Sequence, residues 1–246
     1  MSDKASLTVG DSTFELNVLT GTENEKAVDV SQLRKDSGII TYDDGYGNTG
    51  SCESSVTFID GDKGILRYRG YDIAELADKA NFLEVCLLLL NGELPSSAQL
   101  TNFQEKVSAY QNLPQEVLQS VQSLPTNIHP MASIASGLQA LGGACTHLCT
   151  NDRAKDLENF DDAAALIIAA LPALASACHR KKVGQEYRLS DKSLNYCENF
   201  LSMMFAQDGD ATINSSLSKA LDLIFLLHAD HEQNCSTSTC RMIASG

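Results

Sequence analysis

The chain is expected to be mainly α, a large helical domain preceded by a small β-rich N-terminal region. Three observations carry this. Helix-start signatures recur from Asp72 onward, the apolar runs between them are long enough for helices, and the short β-branched and aromatic stretches cluster ahead of them. At 246 residues with a hydrophobic fraction of 43%, there is enough apolar material for a sizeable core.

Residues 1–50 are expected to form an extended or β region. Thr8-Val9, Thr13-Phe-Glu-Leu-Asn-Val18 and Ile39-Ile-Thr-Tyr42 are short strand candidates, separated by Gly and Asp. Asp43-Asp-Gly-Tyr-Gly-Asn-Thr-Gly50 has loop composition. A hairpin follows. Ser55-Val-Thr-Phe-Ile59 and Ile65-Leu-Arg-Tyr-Arg69 flank Asp60-Gly-Asp-Lys-Gly64, whose glycines tolerate positive φ.

From there the pattern is helical. Asp72 with Glu75, and Asn81 with Glu84, have the spacing of capping boxes. The second opens an apolar helix through Leu90 that Gly92 can terminate. Ser96 or Ser97 can cap a helix reaching about Tyr110, and Pro114 suits the first turn of the next, which ends before Pro125. Pro130 begins a small-residue helix suited to tight packing. Asp161 to Ala177 forms another, with a kink expected at Pro172. Ser193 to Ala206, and Ser215 to about Asn234, complete the series. The helices at 130–144 and 162–177 are apolar all round, which places them in the central layer of a bundle or against a second subunit.

The formal charge of −14 argues against a nucleic-acid backbone or an anionic membrane surface as the main partner. No stretch has the roughly 18 consecutive apolar residues of a bilayer span. Met1-Ser-Asp-Lys-Ala-Ser6 lacks the apolar core of a signal peptide, so a cytoplasmic location is expected. In that compartment the eight cysteines are expected to be reduced. Cys145-Thr-His-Leu-Cys149 has an unusual gap for zinc and no second pair to complete it.

The segment His228-Ala-Asp-His231-Glu-Gln-Asn234 closes the apolar run Ala220–Leu227, and polar groups there are expensive to bury. On a continuing helix, His228 and His231 would share one face, with Cys235 further along it. Three readings stay open on spacing alone. One is a metal site, although neither His-Glu-x-x-His nor its inverse is present. The second is a substrate site in which a histidine donates to a carboxylate while Asp230 holds its tautomer. The third is an exposed polar helix terminus.

Other candidates have plainer readings. His129 precedes a helix start as a turn residue. His179-Arg-Lys-Lys182 complements the dipole at a helix C-terminus, with an anionic-cofactor site as the alternative. Arg67 and Arg69 alternate along a strand and share a face. A phosphate-binding loop and a nucleophile elbow are both missing from the pattern.

Several stretches together resemble a known family. Ser51-Cys-Glu-Ser-Ser-Val-Thr-Phe-Ile-Asp-Gly-Asp-Lys-Gly-Ile-Leu-Arg-Tyr-Arg-Gly-Tyr71 is similar to the N-terminal signature of citrate synthases. Phe82 through Pro95, His129-Pro-Met131 and Glu198-Asn-Phe-Leu-Ser-Met-Met204 continue the likeness. Leu227-His-Ala-Asp-His-Glu-Gln-Asn-Cys-Ser-Thr-Ser-Thr239 is the strongest match. The resemblance is to the bacterial long-chain type and extends over nearly the whole sequence.

It implies a citrate-synthase-like large helical domain, of which residues 51–246 form the first part. It also implies condensation of acetyl-CoA with oxaloacetate and water to citrate and CoA, the entry step of the tricarboxylic acid cycle. That is general acid–base chemistry with no metal or redox cofactor. His231 matches the family's oxaloacetate-binding histidine, His228 its neighbour one turn earlier, and Asn234 an asparagine beside the same pocket. A homodimer or dimer-based hexamer is implied as well.

The family's enol-stabilising histidine, ketone-polarising histidine, catalytic aspartate and substrate-binding arginines have no match here, nor does the small domain that closes over CoA. The chain is therefore expected to be C-terminally truncated, inactive alone and prone to expose apolar faces. A 2-methylcitrate synthase using propionyl-CoA, and a non-catalytic self-association module, are the alternatives. Some relatives bind NADH through basic residues and a cysteine. Ala163–Pro172 has no Arg or Lys and Phe205–Ala211 no Cys, so that regulation is not expected.

Overall fold

The computed structural model describes residues 3–148, 150, 152–207 and 213–244. Cys149 of the Cys-x-x-x-Cys pair and most of the Phe205–Ala211 loop lie outside the described residues. The chain divides into two compact units, Met1–Ser54 with Cys235–Gly246, and Ser55–Asn234.

The first unit holds an antiparallel sheet of β1 (Lys4–Val9), β2 (Ser12–Thr20) and β3 (Lys26–Asp29), with β2 central. Ala5 pairs with Leu16 and Leu7 with Phe14, so the period-2 apolar residues fall on one face. A two-residue turn joins β1 to β2, with Gly10 at φ 60°. The short helix α1 (Leu33–Ser37) buries Leu33 and stops at Gly38, φ 74°. The third strand is thus Lys26–Asp29, not the expected Ile39–Tyr42. A strand needs a ladder partner, and β3 already occupies the free edge of β2. Ile40 and Tyr42 are left 68% and 88% exposed. The unit also contains α11 (Cys235–Ala244).

The second unit opens with the expected hairpin, β4 (Thr57–Asp60) and β5 (Ile65–Tyr68), extended by β6 (Tyr71–Asp72). Asp60 accepts the Lys63 N–H across the turn, and Gly64 supplies its positive φ of 67°. Helices α2 (Ile73–Lys79), α3 (Phe82–Asn91), α4 (Ser97–Tyr110), α5 (Gln115–Ser123), α6 (Pro130–Ala144), α7 (Arg153–Glu158), α8 (Phe160–Lys182), α9 (Tyr196–Phe205) and α10 (Ser215–Leu227) follow.

Their starts are where cap chemistry puts them. Asn81/Glu84, Ser96/Gln99 and Asn195/Glu198 form full capping boxes. Asp72 caps α2, but Glu75 pairs with Lys79 instead of reaching back. His129 is the N-cap of α6, its Nδ1 accepting the Met131 N–H.

Helix α8 is the spine. It packs against α4, α5, α6, α7 and α9, and it contributes to two of the three apolar clusters. By length and composition alone it could cross a bilayer, but half of that stretch is buried inside the protein. It runs five residues past the expected end at Ala177 and continues through Pro172. Proline has no N–H to give the carbonyl of Ile168, four residues back. The Tyr196 hydroxyl donates to that carbonyl at 2.8 Å, so the helix keeps its pairing complete.

The close packing expected of the 130–144 helix is present at Gly137. A Cβ there would stand 2.6 Å from Leu174 Cδ2 and 2.9 Å from Val121 Cγ2.

Basic residues stop neighbouring helices. Arg180 is buried, and its guanidinium donates to the carbonyls of Glu186, Met203 and Ala206, the last two at the end of α9. Lys181 donates to the Val121 carbonyl at 2.9 Å and to that of Leu124, at the end of α5. These cations meet the negative ends of other helices rather than forming a solvated cap on their own.

Candidate functional site

The segment 228–234 sits where α10 stops. Its position depends on how α10 docks. Phe225 packs among Phe82, Tyr196 and Phe200, with ring centroids 5.3, 6.3 and 5.9 Å away. Leu226 is buried with Tyr68, Leu76, Val85 and Leu88. Asp222 accepts the Phe82 N–H at the start of α3 at 3.2 Å, where the helix dipole favours an anion. The Cys197 thiol of α9 lies 3.6 Å from the same carboxylate. Burial pushes the Asp222 carboxyl above its ordinary range, and the Phe82 N–H partly offsets this. Burial also holds the neighbouring thiols protonated, Cys86 being pushed up to about 12.

Helix α10 ends at Leu227, not near Asn234 as expected. His228 is its C-cap and Glu232 has φ 57°. His228 and His231 therefore do not share a helical face, and the metal reading loses its geometry. No group of three His, Cys, Asp or Glu able to hold a metal occurs among the described residues. The helix stops because the hairpin takes its last polar groups. The buried Tyr68 hydroxyl lies 3.2 Å from the Leu227 carbonyl and 3.1 Å from that of Asp230, and it accepts the Asp230 N–H at 3.3 Å. Thr57 donates its hydroxyl to Asp230 Oδ2 at 2.6 Å. Glu232 Oε1 accepts the Ile59 N–H at 3.0 Å, and its own N–H returns to Asp230.

The Asp230 carboxylate is thus committed to Thr57 and the Glu232 N–H, rather than steering either histidine. His228 is exposed, with Nδ1 2.8 Å from the Ile224 carbonyl. A carbonyl can only accept, so Nδ1 is the donor in this contact. His231 and Asn234 are exposed in the same loop, the Asn234 N–H bonding the Glu232 carbonyl. The His231 imidazole and the Asn234 amide, on a held loop, can donate to the carboxylates and ketone of a small anionic substrate.

Arg67 and Arg69 part company. Arg67 lies over Phe58, 5.9 Å from the ring centroid. Arg69 leaves the strand with φ 50° and donates to Ser55 Oγ at 2.8 Å and to the Leu89 carbonyl at 2.7 Å, near the end of α3. Thr57 and Tyr68 went unnoticed as parts of the site. They lie 173 and 162 residues from Asp230, and no local spacing signals such a pairing.

This helical architecture is that of the citrate synthases. The structure of the Pyrobaculum aerophilum citrate synthase matches 89% of this chain and 51% of its own, with TM-score 0.69 and 26% identity. That of the Thermoplasma acidophilum enzyme, a ternary complex with carboxymethyl coenzyme A and oxaloacetate, matches 79% of this chain and 49% of its own, with TM-score 0.70 and 26% identity.

The sequence narrows this from fold to family. Residues 45–246 match the model for the citrate synthase C-terminal domain. The citrate synthase of Corynebacterium glutamicum is 42% identical over 245 residues, 99% of this chain and 55% of the relative. The chain belongs to the citrate synthase family, and it spans about half the length of the relatives it matches.

Proposed function

We propose that this chain supplies the oxaloacetate-binding side of a citrate synthase, the whole enzyme condensing acetyl-CoA with oxaloacetate and water to citrate and CoA. The observation that carries this is the 42% identity to a citrate synthase across 99% of the chain. In this reading His231 is the principal donor to oxaloacetate. Asn234 lies beside it, and His228 supports the pocket from the end of α10.

The reaction is proposed to need no cofactor beyond its acyl-CoA substrate, to run in the cytoplasm and to be carried by a homodimer or dimer-based hexamer. In this reading the family's catalytic aspartate and enol-stabilising histidine are not among these 246 residues. The chain by itself is therefore proposed to bind oxaloacetate without forming citrate.

The test is a calorimetric titration with oxaloacetate, alongside NMR detection of citrate after acetyl-CoA is added. Saturable binding that His231→Ala weakens at least tenfold, with no citrate, is the expected result. No binding sinks the substrate reading, and citrate formation sinks the inactivity. Propionyl-CoA in parallel, on the whole enzyme, separates a citrate from a 2-methylcitrate synthase.

A self-association role has one observation in its favour. Leu217, Leu223, Ile224 and Leu227 of α10 are 38–59% exposed, an apolar surface that promotes association. Light scattering that shows a monomer at high concentration removes it.

A further inference from the structure

We propose that Tyr68 is a positioning residue for the loop 228–234, acting from the β4–β5 hairpin. This rests on the reading of that loop as the oxaloacetate site. Tyr68 is fully buried, and its ring is packed with Leu76, Val85, Leu88 and Leu226. The ring therefore cannot swing away, and its hydroxyl is a fixed point in the interior.

That hydroxyl faces the Leu227 and Asp230 carbonyls and the Asp230 N–H. One O–H can donate to only one carbonyl at a time, while its lone pair takes the N–H. The hydroxyl thus spans both sides of His228 and Ala229, fixing the backbone just before His231.

Thr57 and Ile59, on the partner strand of the same hairpin, hold the side chains of Asp230 and Glu232. Three residues of the chain that ends α10, Leu227, Asp230 and Glu232, are therefore tied to one hairpin. The ring of His231 is exposed, and that of His228 is exposed with its Nδ1 on the Ile224 carbonyl of the helix that the hairpin terminates. Their directions follow from the backbone the hairpin holds. Glu232 at φ 57° is a strained conformation for a residue with a side chain, and its bond to the Ile59 N–H helps hold it there.

The experiment compares the 246-residue chain with Tyr68→Phe, Thr57→Val and Thr57→Ser. Tyr68→Phe keeps the buried ring and removes only the hydroxyl. Thr57→Ser keeps the donor to Asp230. Amide hydrogen exchange reads the loop, and oxaloacetate titration reads the site.

Tyr68→Phe and Thr57→Val are expected to raise exchange at residues 228–232 at least tenfold while α4 and α5 exchange as before. They are also expected to weaken oxaloacetate binding about tenfold. Thr57→Ser should behave as the parent in both. Unchanged exchange in Tyr68→Phe overturns the proposal. So does faster exchange with unchanged oxaloacetate affinity, because the loop would then need no aiming. If the parent chain itself binds no oxaloacetate while Tyr68→Phe loosens the loop, the hairpin clamp stands and the substrate reading fails.

Discussion

Gly137→Ala tests how tightly α6 is set against its neighbours. The added Cβ would lie 2.6 Å from Leu174 Cδ2 and 2.9 Å from Val121 Cγ2. Carbon atoms in contact prefer about 3.5–4.0 Å, so the Leu174 methyl must retreat by about 1 Å. It has nowhere to go, because Leu174 and Val121 are both at 0% exposure, in one apolar cluster with Ala170 and Ala173. Replacing glycine in a helix by alanine contributes roughly 0.5–1 kcal/mol of stability. Overpacking a closed core costs roughly 1–3 kcal/mol. The steric cost wins, and a net loss of about 1–2 kcal/mol is expected in urea unfolding followed by circular dichroism. The double variant with Leu174→Ala checks the cause. Once that side chain is gone, the alanine should stabilise relative to Leu174→Ala alone, by filling part of the cavity. A Gly137→Ala protein as stable as the parent or more so would refute the close approach.

Two further outcomes follow from buried polar groups. Tyr196→Phe removes the donor to the Ile168 carbonyl and should cost about 1–2 kcal/mol. In a Pro172→Ala background, which restores a backbone N–H to that carbonyl, the same change should cost less, and equal costs in a double-mutant cycle would argue against the pairing. Asp222 has its carboxyl raised above 3.8, first by burial. The folded state therefore holds this proton more tightly than the unfolded one. The stability it contributes is full below 3.8 and is lost as pH rises through the raised folded value. Asp222→Asn deletes that titration, so its stability relative to the parent should grow across the same window and then level off. A difference that stays constant from about pH 4 to about pH 7 would contradict the burial.

The residue pattern reached some features and not others for identifiable reasons. The capping box at Asn81 and the cap at Ser96 were readable because donor and acceptor lie three residues apart, whereas the box at Asn195 was passed over for a start at Ser193. Gly92 ends α3 through its own backbone freedom, with φ 88°. The end of α10 had no such mark. Residues 228–234 contain no Gly or Pro, and the helix was expected to run on to about Asn234. It stops because Tyr68 and Thr57 take its polar groups. Ile39–Tyr42 has strand composition but no neighbouring strand to pair with, whereas Lys26–Asp29, which looks unremarkable, has β2. The basic run 179–182 read as a solvated cap because the helix-end carbonyls that Arg180 and Lys181 meet are 23 to 60 residues away.

By itself, then, the sequence determined the helical class, the starts of its main helices, the hairpin and the family likeness around His228, His231 and Asn234. Each of these is written in contiguous residues or in short spacings. Only the tertiary structure decided that the two histidines leave the helix, that Asp230 answers to Thr57 rather than to an imidazole, and that a tyrosine 162 residues away in the chain holds the loop. Hydrogen bonds of that reach depend on where two buried surfaces meet, and no local pattern of side chains encodes that meeting.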